Sequence, residues 1–227
     1  MSTKLFRRRL LFRSLGAYIV FAFLTYLVWQ QRPWLTQIDQ QVNNWLTCLR
    51  TPWLDHIIIA ITNFGNPGNS MLLTAVLLIL LLSFQQRQLA LFSLFNVALI
   101  GGLGNHLLKL LVMRPRPTAV AHLVHAGGTS FPSGHAAGSM AFFGALIVIT
   151  YYLVAKHQQR QVLTSLWLLF ILLIGLSRIY VGVHNTSDVL AGWAWGLGGL
   201  SLSWWLFIRS GLLPQKNYFS KPNQLPR

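Results

Sequence analysis

Six apolar stretches, at about 15–29, 70–84, 89–108, 136–154, 162–176 and 189–208, leave this chain few ways to fold. A helical crossing of a bilayer core needs about 20 predominantly apolar residues. Inside that core the backbone must satisfy its own hydrogen bonds, which restricts spans to helices or closed barrels. These lengths suit helices. The stretch 70–84 is short and leans on Gln85, Gln86 and Arg87 to reach the interface, but a tight polar turn at 85–88 pairs it with the next. The expected fold is an all-α integral membrane protein, a six-transmembrane-helix bundle forming one polytopic domain over residues 1–227.

Charge supports that reading. Only 9% of residues are charged and 54% are hydrophobic, which excludes an ordinary soluble domain. A net charge of +15 raises the question of nucleic acid, but the cations are dispersed over loops between apolar runs. Topology accounts for them better. With the N-terminus cytoplasmic, Lys4, Arg7, Arg8, Arg9, Arg13, Arg87, Lys156, Arg160, Arg209, Lys216, Lys221 and Arg227 fall inside, 12 of the 18 Lys and Arg. The acids Asp39, Asp55 and Asp188 fall outside, as the positive-inside bias predicts. The basic N-terminal segment reads as an uncleaved first span, because bulky Tyr26, Trp29 and Trp34 stand where a cleavage site needs small residues. Cys48 is the only cysteine, so no intrachain disulfide forms, and it is expected to be a small packing residue.

Residues 31–69 form an extracytoplasmic segment too broken for a span. Trp34, Leu35, Ile38, Val42, Trp45 and Leu46 recur at three- and four-residue steps, which fits either an amphipathic interfacial helix or a cap on the bundle.

Three clusters carry chemistry: Lys109 with Arg116-Pro117, then Pro132-Ser133-Gly134-His135, then Ser177-Arg178 with His184 and Asp188. Charges this scarce near a membrane point to function. No span separates Lys109 from His135 and two separate His135 from Arg178, so all three clusters emerge on one face, the extracytoplasmic one. Lys109, Arg116 and Arg178 suit a phosphate bearing about two negative charges, the arginines through bidentate hydrogen bonds. Pro132–His135 opens the fourth helix, whose first N–H groups form a ready anion site. Pro132 is compatible with the first helical position, Ser133 caps the helix or donates to phosphate, and Gly134 admits a close backbone approach.

His184 and Asp188, four apart where the sixth helix begins, are expected on one helical face, the carboxylate fixing the ring's tautomer and raising its basicity. Arg114 misses the cluster register by two and is expected to contact headgroups. His106, His122 and His125 are expected to be structural. Gly101, Gly102 and Gly104, and the pair Gly192 and Gly196, are expected to serve helix packing.

The order K-x6-R-P, P-S-G-H, S-R-x5-H-x3-D resembles the type 2 phosphatidic acid phosphatase family, lipid phosphatases related to bacterial acid phosphatases and vanadium haloperoxidases. The resemblance spans about residues 55–205, with every motif position matched. It implies a metal-independent lipid phosphate phosphatase without a cofactor. In it, His184 is the nucleophile, His135 protonates the leaving oxygen and later activates water, and Asp188 supports His184. Lys109, Arg116, Ser133, Gly134 and Arg178 hold the phosphate. A carboxylate cage for Mg²⁺ is hard to assemble from three acids, two of them in the first outside stretch.

The compact chain resembles bacterial members acting on undecaprenyl pyrophosphate or phosphatidylglycerophosphate. The expected reaction is undecaprenyl pyrophosphate to undecaprenyl phosphate plus phosphate. The alternatives are a broader phosphatidylglycerophosphate, phosphatidate or diacylglycerol pyrophosphate phosphatase, or a lipid phosphotransferase. A non-catalytic lipid-binding protein fits poorly with two intact histidines and Asp188. The expected partners are the lipid substrate and the bilayer, with neither nucleic acid nor an obligate protein partner. The expected location is a bacterial plasma membrane with both termini cytoplasmic.

Overall fold

Three prolines set the start of three consecutive helices, because a residue without an N–H costs nothing at a first helical position. They open α2 (Pro33–Cys48), α3 (Pro52–Phe64) and α4 (Pro67–Ser83), which follow α1 (Thr3–Trp29). The chain continues through α5 (Arg87–Phe95), a π-helical segment (Asn96–Gly104) and α6 (Asn105–Val112), then α7 (Gly134–Leu153), α8 (His157–Tyr180) and α9 (Thr186–Arg209). The structure, a computed structural model, describes residues 3–214, so Lys216, Lys221 and Arg227 lie outside the described residues. No strand occurs among the described residues, in keeping with the all-α expectation.

Lys4–Trp29, Arg87–Val112, Gly134–Leu153 and His157–Tyr180 are each long and apolar enough to cross a membrane. α3 and α4 reach that standard only together, as a pair bent by 54° at residues 65–66, which makes five. The expected six therefore become four to five by length and composition. α9 falls outside that set. It packs on α1, α7 and α8, and much of it is buried, so Gly, Ser and Trp serve where a lipid-facing helix would carry aliphatic residues. Lipid-type surface lies elsewhere: Leu72, Ile79 and Leu82 on α4, Leu103, Leu107 and Leu111 near α6, and Leu168, Leu169 and Leu172 on α8 are exposed.

Small residues let α7 and α9 meet closely. A Cβ on Gly192 would stand 2.6 Å from the Ser133 carbonyl oxygen, and one on Gly196 would stand 2.7 Å from Met140 Cβ. The packing role expected for this glycine pair therefore holds. α1 runs antiparallel to α9, with Ser14 Oγ donating to the Gly198 carbonyl at 2.9 Å and Arg13 Nε donating to Ser201 Oγ at 2.8 Å.

Two regions depart from expectation. The segment 31–69 contains α3 as well as α2, and α2 splits its apolar stripe. Leu35 is buried, and Val42 and Leu46 pack inward, while Trp34, Ile38 and Trp45 stay exposed. Between Leu35 and Val42 the inward face carries Asp39, 1% exposed, and next to Val42 it carries Asn43. Cys48 is exposed, contrary to the packing role expected of it. The third apolar stretch is not a plain α-helix: its glycine-rich middle adopts the wider π form, braced where Trp195 Nε1 donates to the Ile100 carbonyl at 2.9 Å.

Candidate active site

The first turn of α7 is built on the first turn of α9. Ser133, fully buried, is the N-cap of α7 and its Oγ accepts from Ala136 N–H at 3.5 Å. Its own N–H donates to the Asp188 carbonyl at 3.0 Å. Pro132 therefore precedes the cap, two places before the first helical position expected for it. Gly134 is the first helical residue, and a Cβ there would stand 3.2 Å from Asn105 Nδ2 and 3.9 Å from Lys109 Cε. The missing side chain leaves room for Lys109 to lie across the helix terminus.

Asp188 sits in the first turn of α9, but His184 does not belong to that helix; Asn185 is the N-cap and His184 precedes it. The expected shared helical face is thus replaced by a turn of loop that folds the ring back over the helix start. His184 Nδ1 faces Asp188 Oδ2 at 3.5 Å, an ion-pair distance, and finds no hydrogen-bond partner. Asp188 is otherwise occupied: Oδ2 accepts from Asn185 N–H at 2.9 Å and Oδ1 from Arg114 Nη1 at 2.6 Å. On the other side of the ring, Arg116 Nη1 lies 3.2 Å from His184 Nε2. Guanidinium only donates, so Nε2 is the acceptor and the neutral ring carries its proton on Nδ1, toward Asp188. Burial is the main force keeping the ring neutral, lowering its pKa to about 4 against the opposing pull of Asp188.

The other expected residues converge on one cavity of about 880 Å³. Lys109, Arg116, Gly134, His135, Arg178 and His184 all line it. Lys109 Nζ donates to the Thr129 carbonyl at 2.6 Å, and Arg116 donates to the carbonyls of Val183 and Gly127, each at 2.8 Å. Burial lowers the pKa of Arg116, partly offset by Asp188. Arg178, 4% exposed, donates to Thr62 Oγ1 at 2.7 Å, while its Nε has no partner. Arg116 Nε is likewise buried without a partner. Two guanidiniums with unspent donors around one cavity make a site for an anion rich in oxygen. Ser133 and Asp188 lie behind the cavity wall.

Several residues of the site escaped the sequence reading. Asn66, in the break between α3 and α4, points Oδ1 at His135 Nε2, 3.0 Å away. Its Nδ2 donates to Asn63 Oδ1, so the proton on His135 sits at Nε2. Neighbouring Gly65 brings that break against the ring, where an added Cβ would stand 2.6 Å from His135 Cδ2. A Gly-Asn-Pro run was the one available signal, and it marks only a turn.

Arg114, expected at lipid headgroups, is instead clamped between Asp39 at 2.9 Å and Asp188 at 2.6 Å. Burial opposes its charge, but Asp188 and Asp39 outweigh that and raise its pKa. His106 and His125, expected to be structural, both border the cavity, whereas His122 meets only the Pro117 carbonyl at 2.7 Å. Among the described residues no cluster of three or more His, Cys, Asp or Glu could hold a metal ion.

The sequence model described as the PAP2 superfamily matches residues 89–211, more than half of the chain. This chain belongs to the PAP2 superfamily. Phosphatidylglycerophosphatase B of Bacillus subtilis (strain 168) is 32% identical over 168 residues, covering 70% of this chain and 78% of that protein. Undecaprenyl-diphosphatase BcrC of the same organism is 34% identical over 143 residues, covering 60% of this chain and 66% of that protein. A crystal structure of a transmembrane PAP2-type phosphatidylglycerolphosphate phosphatase from Bacillus subtilis superposes with a TM-score of 0.78 at 25% identity, covering 87% of this chain and 97% of the other. The PAP2 match begins within α5, so Asp39 on α2, Thr62 on α3, and Gly65 and Asn66 in the α3–α4 break all precede it. The protein is an enzyme of the membrane lipid phosphatase class, with a PAP2 transmembrane phosphatase fold.

Proposed function

We propose that this PAP2 enzyme hydrolyses the terminal phosphate of a lipid diphosphate or phosphomonoester through a phosphohistidine on His184. The observation that carries the proposal is His184 itself. Its ring is neutral, Nε2 bears the lone pair, and Arg116 stands 3.2 Å from that atom. An oxygen held by this guanidinium brings its phosphorus to Nε2. Attack forms the N–P bond as the bond to the leaving oxygen breaks, and His135, entering the step as the doubly protonated ring, gives that oxygen a proton and returns to its neutral form. Water then attacks the phosphohistidine, His135 takes a proton from it, and phosphate leaves.

Lys109, Arg116 and Arg178, with the N–H groups opening α7, oppose the charge spread over the equatorial oxygens. Ser133 and Gly134 act by shaping that helix terminus. This stabilisation requires no metal, and activity is expected to persist in EDTA.

A lipid fits the rest of the cavity, whose walls beyond the charged end include Met71, Leu78, Leu94, Val97 and Phe142. Undecaprenyl diphosphate is the proposed substrate, because this apolar groove between α4 and the π segment suits one prenyl chain. Phosphatidylglycerophosphate is the second reading, favoured by the longer match to phosphatidylglycerophosphatase B.

We place the site on the extracytoplasmic face of a bacterial plasma membrane, with six crossings and cytoplasmic termini. Lys4, Arg7, Arg8 and Arg209 gather at the far end of the bundle, as a cytoplasmic end requires.

The test is phosphate release from undecaprenyl diphosphate, phosphatidylglycerophosphate and phosphatidate by purified protein in detergent with EDTA, beside His184→Ala. Release lost in the variant supports the mechanism, and the order of kcat/KM ranks the lipids. Wild-type release by His184→Ala would refute the nucleophile, and loss of activity in EDTA would refute metal independence.

A further inference from the structure

Two of the chain's three acids meet over one arginine, far from each other in sequence and buried together. Asp39 Oδ1 accepts the Ser187 N–H at 2.9 Å, and Oδ2 accepts Ser187 Oγ–H at 2.6 Å and Arg114 Nη2 at 2.9 Å. Arg114 Nη1 in turn reaches Ser187 Oγ at 2.7 Å and Asp188 Oδ1 at 2.6 Å. Asp39 and Asp188 are 1% and 0% exposed, so solvent screens little of this. None of Asp39, Arg114 or Ser187 lines the cavity with Lys109 and Arg178. They reach the reaction only through Asp188.

We propose that Asp39 and Arg114 form a positioning relay that sets the orientation and the effective charge of Asp188, and through it the reactivity of His184. The inference rests on His184 being the nucleophile.

The physical argument is one of charge sharing. A phosphorylated or protonated imidazole is cationic and needs a net negative neighbour. Arg114 by itself would neutralise Asp188 and remove that neighbour. Asp39 draws half of the guanidinium to itself, leaving the trio with one net negative charge beside the ring. The same contacts lock Asp188: with Oδ1 fixed by Arg114 and Oδ2 by the Asn185 N–H, the carboxylate cannot rotate away from Nδ1. The helix bearing Asp39 leaves Trp34, Ile38 and Trp45 exposed, and this polar contact anchors it together with Leu35, Val42 and Leu46.

The other groups facing His184 are Arg116 of the 113–133 loop and Arg178 of α8, with Lys109 of α6 and His135 of α7 lining the same cavity. These stay unchanged in the test. Asp39→Asn keeps an oxygen for the Ser187 N–H but deletes the charge. Its kcat is expected to fall about tenfold or more, while KM stays within about twofold. Asp39→Glu is expected to restore most of the loss. The acid limb of the kcat profile is expected to move down in Asp39→Asn, because the trio beside His184 loses its net negative charge. It is expected to move up in Arg114→Gln, which leaves two unshared carboxylates.

Wild-type kcat in Asp39→Asn, a loss confined to KM, or limbs that move together would overturn the proposal. Should Asp39→Asn fail to fold, Ser187→Ala carries the test, with a smaller fall in kcat at unchanged KM expected. An unchanged kcat there overturns the relay. His184→Ala is run alongside. Activity surviving in it refutes the nucleophile, whereas a dead His184→Ala beside a normal Asp39→Asn refutes the relay alone.

Discussion

Both ends of this bundle collect cations, and the two collections differ in every other respect. At one end Lys4, Arg7, Arg8 and Arg209 ring an open concavity of about 540 Å³ with Leu11 and Trp205, and no acid lines it. Arg209 lies over the Trp205 ring at 5.1 Å and Arg8 over Phe12 at 5.2 Å, as cations do at an aromatic interface. At the other end, about 35 Å away along the 24 residues of α9 at 1.5 Å per residue, Lys109, Arg116 and Arg178 are drawn inward. They are tied to Thr129, Gly127, Val183 and Thr62. Charge number alone would not distinguish the ends. Burial, fixed partners and two adjacent histidines do.

Substitutions at the cavity end should show that difference most sharply. His184→Ala removes the proposed nucleophile and is expected to lower kcat by about a thousandfold or more, read as phosphate release from a lipid substrate. Arg178→Ala, which deletes a buried guanidinium with an unspent donor, is expected to cost about a hundredfold in kcat/KM. A tenfold smaller effect would argue that Arg178 only holds Thr62.

Packing beneath the site comes next. Gly192→Ala pushes a Cβ to within 2.6 Å of the Ser133 carbonyl, which is backbone and has little freedom to move. A loss of about 1–3 kcal/mol in stability is expected, seen as a lower Tm in detergent together with reduced activity.

Acid should weaken this end as well. His184 titrates at about 4 in the folded protein against an ordinary 6.5. Between those values the unfolded chain binds a proton that the folded one refuses, so stability rises with pH across that window. The contribution is fully present at neutral pH and is lost as pH falls from about 6.5 toward about 4, on the order of 3 kcal/mol. Melting curves at several pH values should show this slope, flattened in His184→Gln.

The smallest effect is expected at the opposite end: Arg8→Gln with Arg209→Gln should change kcat/KM by less than about twofold, as for exposed charges far from the cavity. A larger change would erase the contrast between the ends.

Much of this was legible in the chain. The apolar runs located α4 and α7, and within a few residues α8 and α9, because a bilayer tolerates few other backbones. The motif order named all six residues of the expected set that border the cavity, since phosphate chemistry at neutral pH needs cations, imidazole and a helix terminus together. Asp39 and Arg114 were not legible. Nothing in a helix with residues at three- and four-residue steps says that its one acid points inward. Nor does an arginine two places from a motif position announce two carboxylate partners. Asn66 was hidden for the same reason, because its hydrogen bond spans 69 residues.

By itself, then, the sequence determined a helical membrane protein of the PAP2 superfamily and the set of cations and histidines proposed to handle phosphate, because solvent and reaction chemistry each restrict which residues will serve. The tertiary structure alone decided which cations line the cavity and which brace Asp188. It also decided that His184 lies before α9 rather than on it, and that the α3–α4 break abuts His135. Those outcomes depend on how separate helices approach one another, and close packing between small residues sets that approach without any local pattern to record it.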